Sequence, residues 1–251
     1  MLYNICFSPT GGTGRVADIL LDRLGGAERY IDLCREIGEI SLTSEDVCLV
    51  SVPSYSGRVP EIAVRRLCGI RANGAKAVLN CVYGNRAWED TLTELQDTLE
   101  KCGFLCAAAV AAVAEHSIFR QFAAGRPDGA DAAQLTEFAD RIRAKLQAGV
   151  FGDLHLAGSH GTYKEISKGG PFRPQANGLC TSCGICAEDC PVGAIDQCDP
   201  KKTDTEICIG CMRCVTRCPK HARDFDEEFM RMMSGKFEAR LSGHKENFLF
   251  L

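Results

Sequence analysis

The 251 residues contain no run of eighteen apolar positions, so no segment is expected to span a membrane as a helix. Basic excess is missing too: a net charge of -4 gives no positive field to hold nucleic acid. No Gly-Lys-Ser/Thr closes a Walker phosphate loop. No Cys-His or Ser-His-Asp arrangement points to nucleophilic catalysis, so His116, His155 and His160 read as polar loop residues. A charged-then-apolar leader with a small-residue cleavage site is also lacking, which argues against a disulfide framework and for a reducing, cytoplasmic setting. Against these absences stands one abundance, sixteen cysteines.

Eight of them form a doubled pattern. Cys180, Cys183, Cys186 and Cys190, followed by Pro191, return as Cys208, Cys211, Cys214 and Cys218, followed by Pro219. The offset is constant, since 208 − 180 and 218 − 190 both equal 28. Four soft, anionic thiolates can hold an iron-sulfur cubane, and C-x2-C-x2-C-x3-C-P is the bacterial two-cluster spacing, in which the fourth cysteine of each run ligates the other cluster. One 4Fe-4S cluster is therefore expected on Cys180, Cys183, Cys186 and Cys218, and a second on Cys208, Cys211, Cys214 and Cys190. Structural zinc also uses C-x2-C pairs, but has no use for a third cysteine two residues further on, nor for Cys-Pro in both copies.

These residues resemble the two-cluster ferredoxins, over about Asn177 to Asp224. The copies part after the proline, with Val192, Gly193, Ala194 and Ile195 in one and Lys220, His221, Ala222 and Arg223 in the other. The two sites are thus expected to differ in local charge. Of the remaining cysteines, Cys6, Cys34, Cys48, Cys68, Cys81, Cys102 and Cys106 read mostly as small buried hydrophobes. Cys198, between the runs, reads the same way, with a role as spare ligand as the alternative.

The chain is too long for a ferredoxin alone, and its first part is sufficient for a full domain with its own core. Four segments are expected: a cofactor domain over 1–150, a Gly-rich linker over 151–176, the cluster domain over 177–224, and an amphipathic tail over 225–251. Short apolar runs at Leu2–Phe7, Tyr30–Leu33, Val47–Val52, Ala77–Tyr83 and Leu105–Ala114 read as strands. Between and after them, Gly14–Leu24, Pro60–Gly69, Trp88–Cys102 and Ala130–Ala148 read as helices, with a short one near Ile37. Alternation of this kind predicts an α/β, doubly wound, five-stranded parallel sheet, whose ligand crevice lies beyond the carboxyl ends of the strands.

The loop after the first strand is Ser8-Pro9-Thr10-Gly11-Gly12-Thr13-Gly14. Its glycines turn amides inward, its hydroxyls add donors, and the helix start adds partial positive charge, so it can hold a phosphate without a lysine. Gly12-x-Gly14-x-x-Ala17 also matches a dinucleotide fingerprint, with Asp32 where a ribose-binding acid belongs. The many hydroxyls fit a single terminal phosphate better than a pyrophosphate, which favours FMN over NAD. The run looks like the phosphate loop of the flavodoxin family, Ser/Thr-x-Thr-Gly-x-Thr. That resemblance implies that the next two loops, with Ser54, Tyr55, Ser56 and Gly57, and with Tyr83, Gly84, Asn85 and Arg86, flank a flavin ring. It offers Tyr55, Tyr83 or Trp88 as stacking partners, and Asn85 and Arg86 at the polar rim. The alternative is that Tyr83 and Trp88 cap the core and Arg58 is solvated.

With both parts in this order, nearly the whole chain resembles the fused flavodoxin-ferredoxin proteins of anaerobic bacteria. The resemblance implies a cytoplasmic electron-transfer protein that joins two 4Fe-4S clusters to FMN and serves redox partner proteins. An FMN-dependent reductase of a small acceptor such as a quinone is the alternative. A redox or iron sensor is a third reading, for which no basic output helix is evident. The linker is expected to cross the surface and cover the flavin edge. Phe225, Phe229, Met232, Phe237 and Leu241, with the closing Phe248 to Leu251, are expected to dock back on the body of the protein.

Overall fold

The computed structural model describes residues 1–165 and 170–251. From the amino terminus, β1 (Leu2–Cys6), α1 (Gly12–Leu24), β2 (Arg29–Asp32), β3 (Ile40–Ser41), β4 (Val47–Pro53) and α2 (Glu61–Leu67) are followed by β5 (Ile70–Arg71), β6 (Lys76–Tyr83), α3 (Thr91–Lys101), β7 (Leu105–Val113) and α4 (Gly129–Ala148). Five of these strands form a parallel sheet in the order β2-β1-β4-β6-β7, while β3 and β5 pair with each other outside it. This is the 2-1-3-4-5 order of flavodoxin-like sheets, with its switch point between β1 and β4. Among the described residues no helix is long and apolar enough to cross a membrane.

The central strands are apolar runs because both of their faces are covered. On one face α1 turns Val16, Ala17, Leu20 and Leu21 inward as a single stripe, and Leu135, Phe138 and Ile142 of α4 join them. A reciprocal cap, Asp128 to the Asp131 amide and Asp131 to the Asp128 amide, starts α4. On the other face α2 and α3 supply Ile62, Leu67, Leu92, Leu95 and Leu99. The helix expected near Ile37 does not form. Instead Asp32 accepts the Cys34 amide at 2.8 Å and turns the chain locally.

Beyond the linker come β8 (Gln175–Ala176), α5 (Ile185–Glu188), α6 (Arg213–Arg217), β9 (Arg223–Asp224), α7 (Glu227–Leu241) and β10 (Phe248–Phe250). β8 and β9 pair antiparallel, so the cysteine-rich unit is a small α+β body. The closing residues are not a loose tail: β10 adds a sixth, antiparallel strand to the edge of β7, with Leu249 opposite Val110. Asn247 fixes this addition, accepting the Val113 amide and donating to Asp131 and Gln134, each at 2.8 Å. An otherwise open sheet edge is thereby covered.

The linker lies along α3. Leu154 and Leu156 are buried in the core, the Thr93 hydroxyl donates to the Ala157 carbonyl at 2.9 Å, and Asp97 accepts the Gly161 amide at 2.9 Å and the Tyr163 hydroxyl. Residues 166–169, also part of the expected linker, lie outside the described residues.

Candidate functional site

The sequence repeat reappears in the backbone. Ser182 and Gly210, Gly184 and Met212, and Gly193 and His221 are pairs of residues with positive φ at the same offset of 28. In both copies the amide four residues after the last cysteine donates to its sulfur, Ala194 to Cys190 Sγ at 3.3 Å and Ala222 to Cys218 Sγ at 3.2 Å. Such N–H···S contacts stabilise anionic sulfur.

Two hollows result. Cys180, Cys183, Cys186 and Cys218 line one, and Cys190, Cys208, Cys211 and Cys214 line another. Each therefore gathers three cysteines of one run and the fourth of the other. Among the described residues no three His, Cys, Asp or Glu side chains converge tightly enough for one metal ion. Sulfurs spread around a wider hollow fit a cubane better than zinc, whose bonds to sulfur are about 2.3 Å. Burial pushes the Cys214 thiol up to about 12 and Cys211 higher still, so holding them as thiolates needs a strongly cationic group, which iron supplies. Cys198 is exposed and lines neither hollow; its amide caps Asp196 at 2.7 Å in a turn.

The second hollow faces the sheet. Val192 and Ile209 from its wall pack against the core, and Cys211 of the same wall lies near Tyr55. Arg66, buried in α2, donates to the Pro191 carbonyl at 2.9 Å and the Leu33 carbonyl at 2.8 Å, and pairs with Glu36 at 2.7 Å. Asp189, next to Cys190, joins Arg35 of the sheet domain at 2.8 Å to Arg217 at 2.7 Å. Burial raises the Asp189 pKa, but Arg217, Arg213 and Arg35 outweigh it and hold the carboxyl below its usual range. The first hollow faces outward: Cys183 is exposed, as are Leu179 and Ile185 beside it. The hollows are called inner and outer below.

The phosphate-loop residues come together at the start of α1. The Ser8 hydroxyl accepts the Gly14 amide at 2.9 Å, and Gly11 takes a φ of 90 that only glycine adopts freely. The helix has no side-chain cap, and among the described residues the amides of Thr10, Gly11, Gly12 and Thr13 have no protein acceptor. Consecutive unpaired amides at a positive helix end are a cradle for an anion. Asp32 spends one oxygen on the Cys34 amide, which weakens the ribose-binding alternative.

After β4, Tyr55 and Arg58 exchange backbone hydrogen bonds at 2.9 and 3.1 Å around Ser56 and Gly57, whose φ values are 54 and 85. This is the two-residue turn that demands positive φ twice. A Cβ on Gly57 would clash with the Glu89 side chain, so the second and third loops interlock. Thr91 also donates to the Ser54 hydroxyl at 2.8 Å. Tyr55 is half-buried, and its hydroxyl titrates well above its usual range because of burial and then the nearby Cys211 and Cys34.

In the third loop two of the expected flavin-site residues have protein partners. Tyr83 is buried and donates its hydroxyl to the Glu246 carbonyl at 2.6 Å, and Asn85 is buried and donates to the carbonyls of Leu241 and Gly243. Trp88 packs between Tyr83 and Phe248, with ring centres 5.2 and 5.1 Å away. These residues anchor the returning chain end. Arg86 pairs with Glu89, and a Cβ on Gly84 would lie 3.0 Å from His116. His116 itself accepts the amides of Ile118 and Phe119 at Nδ1, both at 3.1 Å. Sequence reasoning passed over Arg66 and Asp189, each of which has one partner in the other domain; Arg66 shows no signal except a charge within an apolar helix.

Comparison with known proteins supplies the family for the second part. The 4Fe-4S binding domain family matches residues 177–196 and 201–224. The chain joins a flavodoxin-like fold to a 4Fe-4S domain. Comparison of the sequence with curated proteins finds no match. Solved structures similar to the chain include the flavodoxin of Streptococcus pneumonia TIGR4, at 20% identity and a TM-score of 0.42, covering 58% of this chain and 99% of that one. Megasphaera elsdenii flavodoxin overlaps at 14% identity and a TM-score of 0.36, covering 56% and 99%. Rubredoxin oxygen:oxidoreductase of Desulfovibrio gigas does so at 16% and 0.37, with 59% of this chain on 35% of that one, so this chain spans about a third of its length. Strand order carries the assignment of the flavodoxin-like fold, and the matched cysteine runs carry that of the 4Fe-4S domain.

Proposed function

We propose that this protein transfers electrons between two 4Fe-4S clusters and FMN within one chain. In this reading Cys180, Cys183, Cys186 and Cys218 hold the outer cluster, and Cys190, Cys208, Cys211 and Cys214 the inner one. Ser8, Thr10, Gly11, Gly12, Thr13 and Gly14 hold the FMN phosphate, with Tyr55 against the ring and Ser54, Ser56, Gly57, Gly84 and Arg86 around it. A cubane exchanges single electrons and a flavin one or two, so the pair supplies conversion between the two.

The observation that supports this most is where the inner hollow sits. Its walls Val192 and Ile209 pack on the core of the sheet domain, and its Cys211 lies near Tyr55, which leads out of β4 at the switch point where such sheets bind ligands. Arg66 and Arg35 hold the cluster unit there through Pro191 and Asp189. The apolar contacts exclude water from the joint, and a buried guanidinium fixes its distance. An outward-facing first hollow leaves Cys183 accessible to a redox partner protein.

Anaerobic purification followed by flavin, iron and acid-labile sulfide analysis tests both cofactors together. Thr10→Glu places a carboxylate in the anion cradle and is expected to abolish flavin binding while iron and sulfide stay at native levels. Unchanged flavin content in that variant would remove the phosphate loop from the site.

A further inference from the structure

The second cysteine run ends on Arg223 where the first has Ile195. Its side chain is only 2% exposed. Nη1 donates to the Thr203 hydroxyl at 2.7 Å and reaches the Pro174 carbonyl at 3.4 Å, Nη2 donates to the Pro200 carbonyl, and the buried Nε has no partner among the described residues. Every one of these acceptors is neutral. Two other buried arginines each carry a carboxylate, Arg66 with Glu36 and Arg126 with Asp131. Among the described residues no carboxylate pairs with Arg223.

A buried guanidinium without a counter-ion is a costly feature, and a fold that keeps one points to an anion not supplied by the side chains around it. Its place names that anion. Arg223 lines the outer hollow beside Cys180, Cys186 and Cys218, while its acceptors Thr203 and Pro174 line the inner one. The charge therefore stands in the wall between two rings of thiolates.

We propose that Arg223 is the built-in counter-cation of the clusters and raises their reduction potentials. This rests on the reading that both hollows hold 4Fe-4S clusters. A cluster bound by four thiolates is negatively charged and becomes more so when it takes an electron, and a fixed cation in a low-dielectric wall stabilises the more negative state. Ile195 at the matching place in the other copy supplies no second cation. Arg223 lines the outer hollow, and its positive charge also reaches Cys214 and Cys208 of the inner one.

The test is an anaerobic redox titration of the full chain followed by electron paramagnetic resonance, with iron counted in each sample. Native protein, Arg223→Met, Arg223→Gln and Arg223→Lys are compared, and the outer cluster is identified as the one that Cys183→Ser perturbs. With native iron content, the Met and Gln variants are expected to show at least a tenfold lower ratio of reduced to oxidised outer cluster at a given potential, about 59 mV for one electron. The inner cluster is expected to shift in the same direction, and the Lys variant to stay near native. Neutral variants with full iron and native potentials would overturn the proposal. If neither neutral variant loads iron, Arg223→Lys decides: a loaded protein with a native ratio supports the counter-cation, while a tenfold fall or loss of iron here too assigns Arg223 to the fold alone. Native protein without clusters would refute the proposed function instead, a separate outcome.

Discussion

His116 accepts two amide hydrogens at Nδ1, which leaves its own proton on Nε2 and the ring neutral. Protonating Nδ1 would break both bonds, and burial, followed by the positive Arg86, pushes the pKa down to about 4. Relative to an unfolded value of about 6.5, the unfolded chain binds the extra proton first. The stability tied to this ring is complete above pH 6.5 and falls as the pH drops to about 4, below which it changes no further. His160 acts in the opposite sense, because Asp97 raises its pKa. Only the difference between native protein and a variant isolates one ring. Urea unfolding of His116→Asn across this window is expected to show a flatter loss of stability with acid than native protein. Parallel curves would mean that His116 takes up its proton as readily in the fold as in the unfolded chain. The apolar-run cysteines behave as read: burial pushes Cys48 and Cys106 up to about 12, which keeps their thiols protonated and inert.

At the level of elements, the sheet edge at β7 depends on a side chain 134 residues away in sequence. Replacing Asn247 with alanine leaves the buried Val113 amide without an acceptor and frees two partners on α4. A loss of about 2 kcal/mol is expected, from the cost of one unsatisfied buried amide and weakened neighbours. Amide exchange at Val113 and in β10 should quicken while Ile5 in the central β1 stays protected; equal rates would show that β10 is held by its ladder alone. This strand also marks how far the sequence could be read. The five parallel strands were legible because each is a run of apolar residues bounded by turn-formers, and the phosphate loop because its hydroxyls and glycines are consecutive. β10 is three residues long and carries no period of its own. The loop sequence offers Tyr83 for stacking on a flavin and Asn85 for its rim, but cannot show that Glu246 and Gly243, more than 150 residues on, bond their polar groups. The helix near Ile37 failed for a local reason, since Asp32 bonds its own backbone and ends regular structure there.

Across the whole molecule, the chain order explains how two bodies are held as one. The cysteine-rich unit lies between α4 and β10, so both of its chain connections return to the flavodoxin-like sheet. Phe119, in the loop after β7, lies 5.3 Å from Phe172 before the first cysteine run and 5.5 Å from Phe237 in α7, which ties both connections to one aromatic cluster. Such anchoring makes the crossed arrangement of cysteines testable, because a single substitution should not loosen the unit as a whole. Cys190 belongs to the first run in sequence but to the inner hollow in space, with Cys208, Cys211 and Cys214. Cys190→Ser is therefore expected to alter the inner cluster and leave the outer one intact. Its iron content and its paramagnetic resonance spectrum in the reduced state should match those of Cys211→Ser, twenty-one residues further on, and differ from those of Cys183→Ser, only seven residues before it. Crossed ligation makes distance in the chain irrelevant and shared hollows decisive. A Cys190→Ser spectrum that instead matched Cys183→Ser would place all four ligands of each cluster within one run and break the link between the hollows and the clusters.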